Sequence, residues 1–96
     1  MAYRGTVYRL GTHQIAAYTS VAASITNAIG TGTQVVRVVP TTAAFIKIGN
    51  TPTAAATNSV YMKGGESEYF VVTPGMKVSA VRVTTNGNVH VTECSG

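Results

Sequence analysis

Val and Thr recur along the whole of this 96-residue chain, and Gly, Pro or Asn interrupts them at intervals of roughly 8–12 residues. That pattern constrains the fold more than any single motif. β-Branched side chains are stiff at χ1 and pack well on a pleated surface, so they favour strands. No window carries an apolar stripe at helical spacing. The expected fold is therefore all-β: a single antiparallel β-sandwich, jelly-roll or Ig-like, of about seven strands with an extended N-terminal arm. Residues 1–14 form the arm in this reading and residues 15–96 the sandwich domain.

Alternation assigns faces. In a run starting at Ile15, the side chains of Ile15, Ala17, Val21, Ala23 and Ile25 fall on one face and those of Tyr18, Ser20, Ala22 and Ser24 on the other. QVVRVVP makes a second strand, ended by Pro40, and AAFIKIG a third. SVYMK, EYFVVT, KVSAVRVTT and NVHVTEC follow. Val36, Val38, Ile46, Ile48, Val60 and Met62 are expected on core faces. For the last pair, a three-residue loop Thr85-Asn86-Gly87 with Gly87 left-handed sets Val83 against Val89 and Val81 against Val91, giving one apolar face.

The outward faces then hold Val35, Arg37, Val39, Phe45, Lys47 and Tyr61, a mixture of apolar and basic groups. Charged residues are only 10% of the chain, against about 25% in ordinary soluble domains. A chain of this size buries roughly 60–65% of its unfolded surface, so it gains from association. Both features suggest a face covered by another subunit. In the arm, Tyr3, Arg4, Val7, Tyr8, Arg9 and Leu10 are more apolar than a frayed tail, and they join the outward residues as the expected partner interface.

Other classes are disfavoured. The net charge of +4 comes from seven Lys and Arg scattered singly from Arg4 to Arg82, without the clusters or interleaved stacking aromatics of a nucleic-acid surface. No apolar run approaches the ~18 residues of a membrane span, and MAYRGTVYRL lacks the apolar core of a signal peptide. One cysteine, Cys94, forms no intrachain disulfide, which suits a reducing cytoplasm. For catalysis, the acids are Glu66, Glu68 and Glu93, and no third group converges on the Glu66–Glu68 corner. His90 and Cys94, four apart on one strand, stand about 13 Å apart, too far to share a zinc ion. Neither a cofactor nor a metal within one subunit is expected, which leaves a ring of His13 or His90 around an oligomer axis as the one metal arrangement still open.

The order of elements carries a resemblance. An Arg-containing strand (Arg37) is followed by Ile48-Gly49, by the loop Thr51-Pro52-Thr53-Ala54, and by the Gly64-Gly65 corner before Tyr69-Phe70. The Pro74-Gly75 turn and the closing Val91-Thr92-Glu93 come next. Over about two-thirds of the chain this resembles small β-sandwich proteins among the structural genes of tailed bacteriophages. The resemblance implies a virion component, a capsid cement or decoration protein without catalytic residues, assembled in the host cytoplasm. It implies the major capsid protein as partner and a homo-oligomer, a trimer for preference. The alternatives are a carbohydrate- or host-binding module of a head or tail fibre, in which Tyr3, Tyr8 and Tyr18 would cluster, and a head–tail accessory protein. An arm that orders on a neighbour predicts that residues 1–14 are cut by protease in the free chain and protected in the assembly, as limited proteolysis of both would show.

Overall fold

The computed structural model describes residues 9–33, 35–55 and 57–95. They form eight strands: β1 Arg9–Tyr18, β2 Ala23–Ser24, β3 Val35–Pro40, β4 Ala44–Gly49, β5 Val60–Met62, β6 Glu68–Val71, β7 Lys77–Arg82 and β8 Gly87–Ser95. Two four-stranded sheets result, in the orders β1-β8-β3-β6 and β2-β7-β4-β5, and every pairing is antiparallel. The pairing is nested: first strand with last, second with seventh, third with sixth, fourth with fifth. The chain is in effect one long hairpin with its tip at β4–β5, rolled so that its two halves share both sheets. The β3–β8 and β4–β7 ladders complete each sheet.

The core lies between the inner faces. Ala16, Tyr18, Val36, Val38, Val89 and Val91 come from one sheet, and Ala44, Ile46, Met62, Val78 and Ala80 from the other, joined by Ile25, Ile29 and Val72. Val36, Val38, Ile46 and Met62 are thus where alternation put them. Ile48 is half-buried against the cluster.

Several expectations are corrected. The run from Ile15 is not one strand. β1 ends at Tyr18, and the chain crosses to the other sheet to form β2, which accounts for eight strands instead of about seven. Within β1 its face assignment is inverted, because Ile15 is 55% exposed while Tyr18 is fully buried, whereas Ala23 and Ile25 pack inward as expected. Val60 has the inward parity of Ile46 but is 51% exposed, since β5 is a three-residue strand at the sheet edge. Finally, β7 and β8 are not a hairpin but lie in different sheets, so Val81 and Val83 never face Val91 and Val89. β1 also begins at Arg9 and takes in residues 9–14 of the segment expected as an arm, while residues 1–8 lie outside the described residues.

Gly87 has no positive φ. Its requirement is space: a Cβ there would lie 2.5 Å from Thr42 Oγ1, 2.7 Å from Thr41 Oγ1 and 2.7 Å from the Tyr18 hydroxyl. These groups fasten the end of the sandwich. The Tyr18 hydroxyl donates to the Thr42 carbonyl at 2.7 Å and accepts the Thr42 N–H at 3.1 Å. Thr41 Oγ1 accepts the Asn88 N–H at 2.9 Å, and Thr42 Oγ1 donates to the Thr85 carbonyl at 2.8 Å. Tyr18 thus spends its ring in the core and its hydroxyl on the β3–β4 connection.

Tyr18→Phe strands the Thr42 N–H and is expected to lower stability by about 1–3 kcal/mol. Gly87→Ala, which forces three polar groups apart, is expected to cost about as much by overpacking. Thermal and urea unfolding of both variants checks this, with Gly49→Ala, where an added Cβ meets nothing within 4 Å, as the control.

Candidate functional site

The outer face of the sheet β1-β8-β3-β6 is a grid set by register. Val71, Val35 and Cys94 form one row, continued by position 10 of β1. Tyr69, Arg37, Thr92 and His13 form the next, and Val39, His90 and Ile15 the third. Val71 is 86% exposed and Ile15 55%. Tyr69 is also exposed, and Val35 and Val39 are half-buried. Arg37 is the single charged residue in these three rows. Large apolar side chains outnumber charges here, the reverse of what keeps a free surface apart from its neighbours.

The opposite outer face differs. Phe45 and Tyr61 meet edge to face, with ring centroids 5.9 Å apart, beside Val81. Residues 50–55 fold over part of it. The Ala54 N–H donates to Ser79 Oγ at 3.0 Å, Ser24 Oγ donates to the Pro52 carbonyl at 3.4 Å, and Ser79 is fully buried on a face that alternation would leave open. The Thr-Pro-Thr-Ala loop is therefore a cover for this sheet.

The expected interface residues divide accordingly. Val35, Arg37 and Val39 lie on the first face, whereas Phe45, Lys47 and Tyr61 lie on the far side of the sandwich, so the six do not make one patch. Arg9 and Leu10 belong to β1, paired with Ser95 and Cys94. Tyr3, Arg4, Val7 and Tyr8 lie outside the described residues.

The glycine corners are scaffold. Gly32, Gly65 and Gly75 have φ of 85°, 80° and 93°, each at the third position of a β-turn. The closing bonds are Thr33 N–H to Gly30 O, Glu66 N–H to Lys63 O and Met76 N–H to Thr73 O. A positive φ at that position is what a type II turn requires. Glu66 and Glu68 are exposed beside the second turn. Glu93 has a structural role, accepting the Thr33 hydroxyl at 2.6 Å and the Gly30 N–H at 3.4 Å. Among the described residues no group of three or more His, Cys, Asp or Glu could hold a metal ion.

Sequence reasoning missed one pair. His13 Nδ1 lies 2.8 Å from Thr92 Oγ1, and His13 Nε2 lies 3.3 Å from His90 Nδ1, with the two rings tilted at 37°. The cause is local. Between Leu10 and His13 the β1–β8 register shifts, so that Gly11 and Thr12 face Glu93 alone. Such a bulge returns His13 to the side that strict alternation from position 10 denies it.

Comparison with protein-family models, curated proteins and solved structures finds no match to this chain.

Cys94 also sits on the outer face by register, yet it is 2% exposed and its thiol reaches the Thr92 carbonyl at 3.5 Å. Burial pushes the thiol pKa up from 9.0, against the opposing effects of a backbone hydrogen bond and the charge of Arg37. The folded state thus holds the thiol proton to higher pH than the unfolded chain. The resulting stabilisation is complete below about pH 9 and is lost as pH rises through the folded value. We expect native Cys94 to be alkylated by iodoacetamide at pH 8 at least ~10-fold more slowly than in the urea-unfolded chain. We also expect Cys94→Ala to lose less stability than the parent between pH 8 and 10.5, as denaturant melts at both values would report.

Proposed function

We propose that this chain is a virion structural protein that cements the capsid of a tailed bacteriophage. The observation that carries the reading is the outer face of β1-β8-β3-β6, where Ile15, Val35, Val39, Tyr69 and Val71 surround a single Arg. A small domain that exposes Ile15, Tyr69 and Val71 on one face gains by burying them against another protein. Burying roughly 200–400 Å² of it contributes on the order of 5–10 kcal/mol before association costs, and repetition over a lattice multiplies the effect. The partner is the major capsid protein. The N-terminal segment reaches across joints between capsid subunits, and the protein, an oligomer of preferably three copies, sits on the capsid surface. The strand orders β1-β8-β3-β6 and β2-β7-β4-β5 support a jelly roll over an Ig-like sandwich, an architecture that recurs in viral capsid and lectin domains. Fold alone assigns no function, so the weight rests on the face.

The carbohydrate-binding alternative draws less support. Such sites favour clustered aromatic platforms, but Tyr18 is fully buried, and Tyr61 and Tyr69 lie on opposite sides of the sandwich.

The test adds purified protein to capsids stripped of it, followed by co-sedimentation and a heat scan. The parent is expected to bind stoichiometrically and raise the capsid melting temperature. Ile15→Glu and Val71→Glu should keep the fold's own stability within about 0.5 kcal/mol, as surface changes do, and bind at least ~10-fold more weakly. Parent-like binding by both variants would refute this face. Failure of the parent to bind would shift the reading to a glycan- or host-contacting role.

A further inference from the structure

We propose that His13 and His90 form a two-point site for a divalent transition-metal ion such as Zn²⁺. The 3.3 Å between His13 Nε2 and His90 Nδ1 is long for a direct hydrogen bond. It does match the separation of two nitrogens bound at 2.0–2.1 Å to one tetrahedral ion, which is about 3.3–3.4 Å. A modest rotation of each ring aims both lone pairs at a common point above the sheet. His13 can serve as a ligand in one tautomer: with the proton on Nδ1, facing Thr92 Oγ1 at 2.8 Å, the lone pair falls on Nε2. Metal-bound imidazoles characteristically have such a partner on their other nitrogen. Thr92 is 8% exposed, so its hydroxyl is a fixed anchor.

The backbone shows the same arrangement. The bulge at Gly11-Thr12 places His13 diagonally across from His90 on one face, and bulges commonly re-aim a side chain beside a functional site. His13 is exposed and His90 half-buried, so an ion can enter from solvent and keep outward positions for water or for a donor on whatever covers the face. Arg37, in the same row, lies two strands from His13, roughly 9–10 Å across the sheet, which tempers the affinity without blocking the site. His13 and His90 are the chain's two histidines, so the site uses both. It stands apart from the capsid reading, and either can fail alone.

The probe is ZnCl₂ titrated into the full chain, followed by calorimetry and by the histidine-ring NMR signals. The expected result is saturable binding of one ion per chain, or per two chains if a second copy supplies the remaining ligands, with both rings shifting together. His13→Ala and His90→Ala should each weaken binding at least ~10-fold, and Thr92→Val, which touches no ion, by about 10–100-fold. Because the chain has two histidines, the parent's ring signals decide the outcome even if a substitution unfolds the protein. Absence of saturable binding at millimolar Zn²⁺, binding that leaves either ring unmoved, or binding that survives His13→Ala and His90→Ala would each overturn the site.

Discussion

The ladder between β1 and β8 is the contact on which the rest of the structure depends, because it joins the two ends of the chain and thereby closes the roll. Inside the sandwich it sets Ala16 opposite Val89 and Tyr18 opposite Gly87. Outside, it sets His13 beside Thr92 and Ile15 beside His90. Its closure entropy is large, since almost the whole chain is the loop that it closes, although that cost grows only slowly with length. The core contacts that offset it come from both sheets at once. Such non-local pairing favours slow folding and all-or-none behaviour over stepwise assembly.

Polar groups are placed as carefully as apolar ones. Tyr18, Thr41 and Thr42 tie the β3–β4 connection to β1 and β8, Glu93 holds the turn at residues 30–33, and Ser79 anchors the loop that covers part of the second sheet. Among the described residues no buried side-chain nitrogen or oxygen lacks a partner. A small domain with few charges thus fixes its strand connections through hydroxyls, which accounts for much of its demand for Thr and Ser. The same scarcity of charge leaves the β1-β8-β3-β6 face apolar.

Strand content was legible where one face is plainly apolar. VVRVVP and AFIKIG alternate cleanly, and both gave the right core residues. Alternation failed where both faces carry apolar groups: Ile15 and Tyr18 are each plausible core residues, and only the hydroxyl partners of Tyr18 decide between them. It failed again at β7 and β8, since a test of neighbouring strands presumes that they pair, whereas the roll sends them to different sheets. Gly87 looked like a turn residue, but its small size serves close packing against Thr41 and Thr42. The candidate site was least legible of all. A one-residue bulge reverses parity, and nothing in Leu10-Gly11-Thr12-His13 announces one except a glycine. The outward residues were identified mostly correctly, but assigning them to two opposite sides of the sandwich required the topology.

The two sides of this molecule are therefore chemically distinct. One is partly covered by its own loop beside an aromatic pair, and the other carries the exposed Ile15, Tyr69 and Val71 and two histidines. In the proposed function, the side bearing Ile15, Tyr69 and Val71 is the one that meets the capsid. Hydroxyl-radical footprinting of free and capsid-bound protein tests that most directly, because it reads side-chain exposure on both sides in one experiment. Ile15, Tyr69 and Val71 should lose reactivity on binding while Val60 and Tyr61 keep theirs. Protection of Val60 and Tyr61 with Ile15 and Val71 unchanged would place the capsid on the wrong side and refute the proposal.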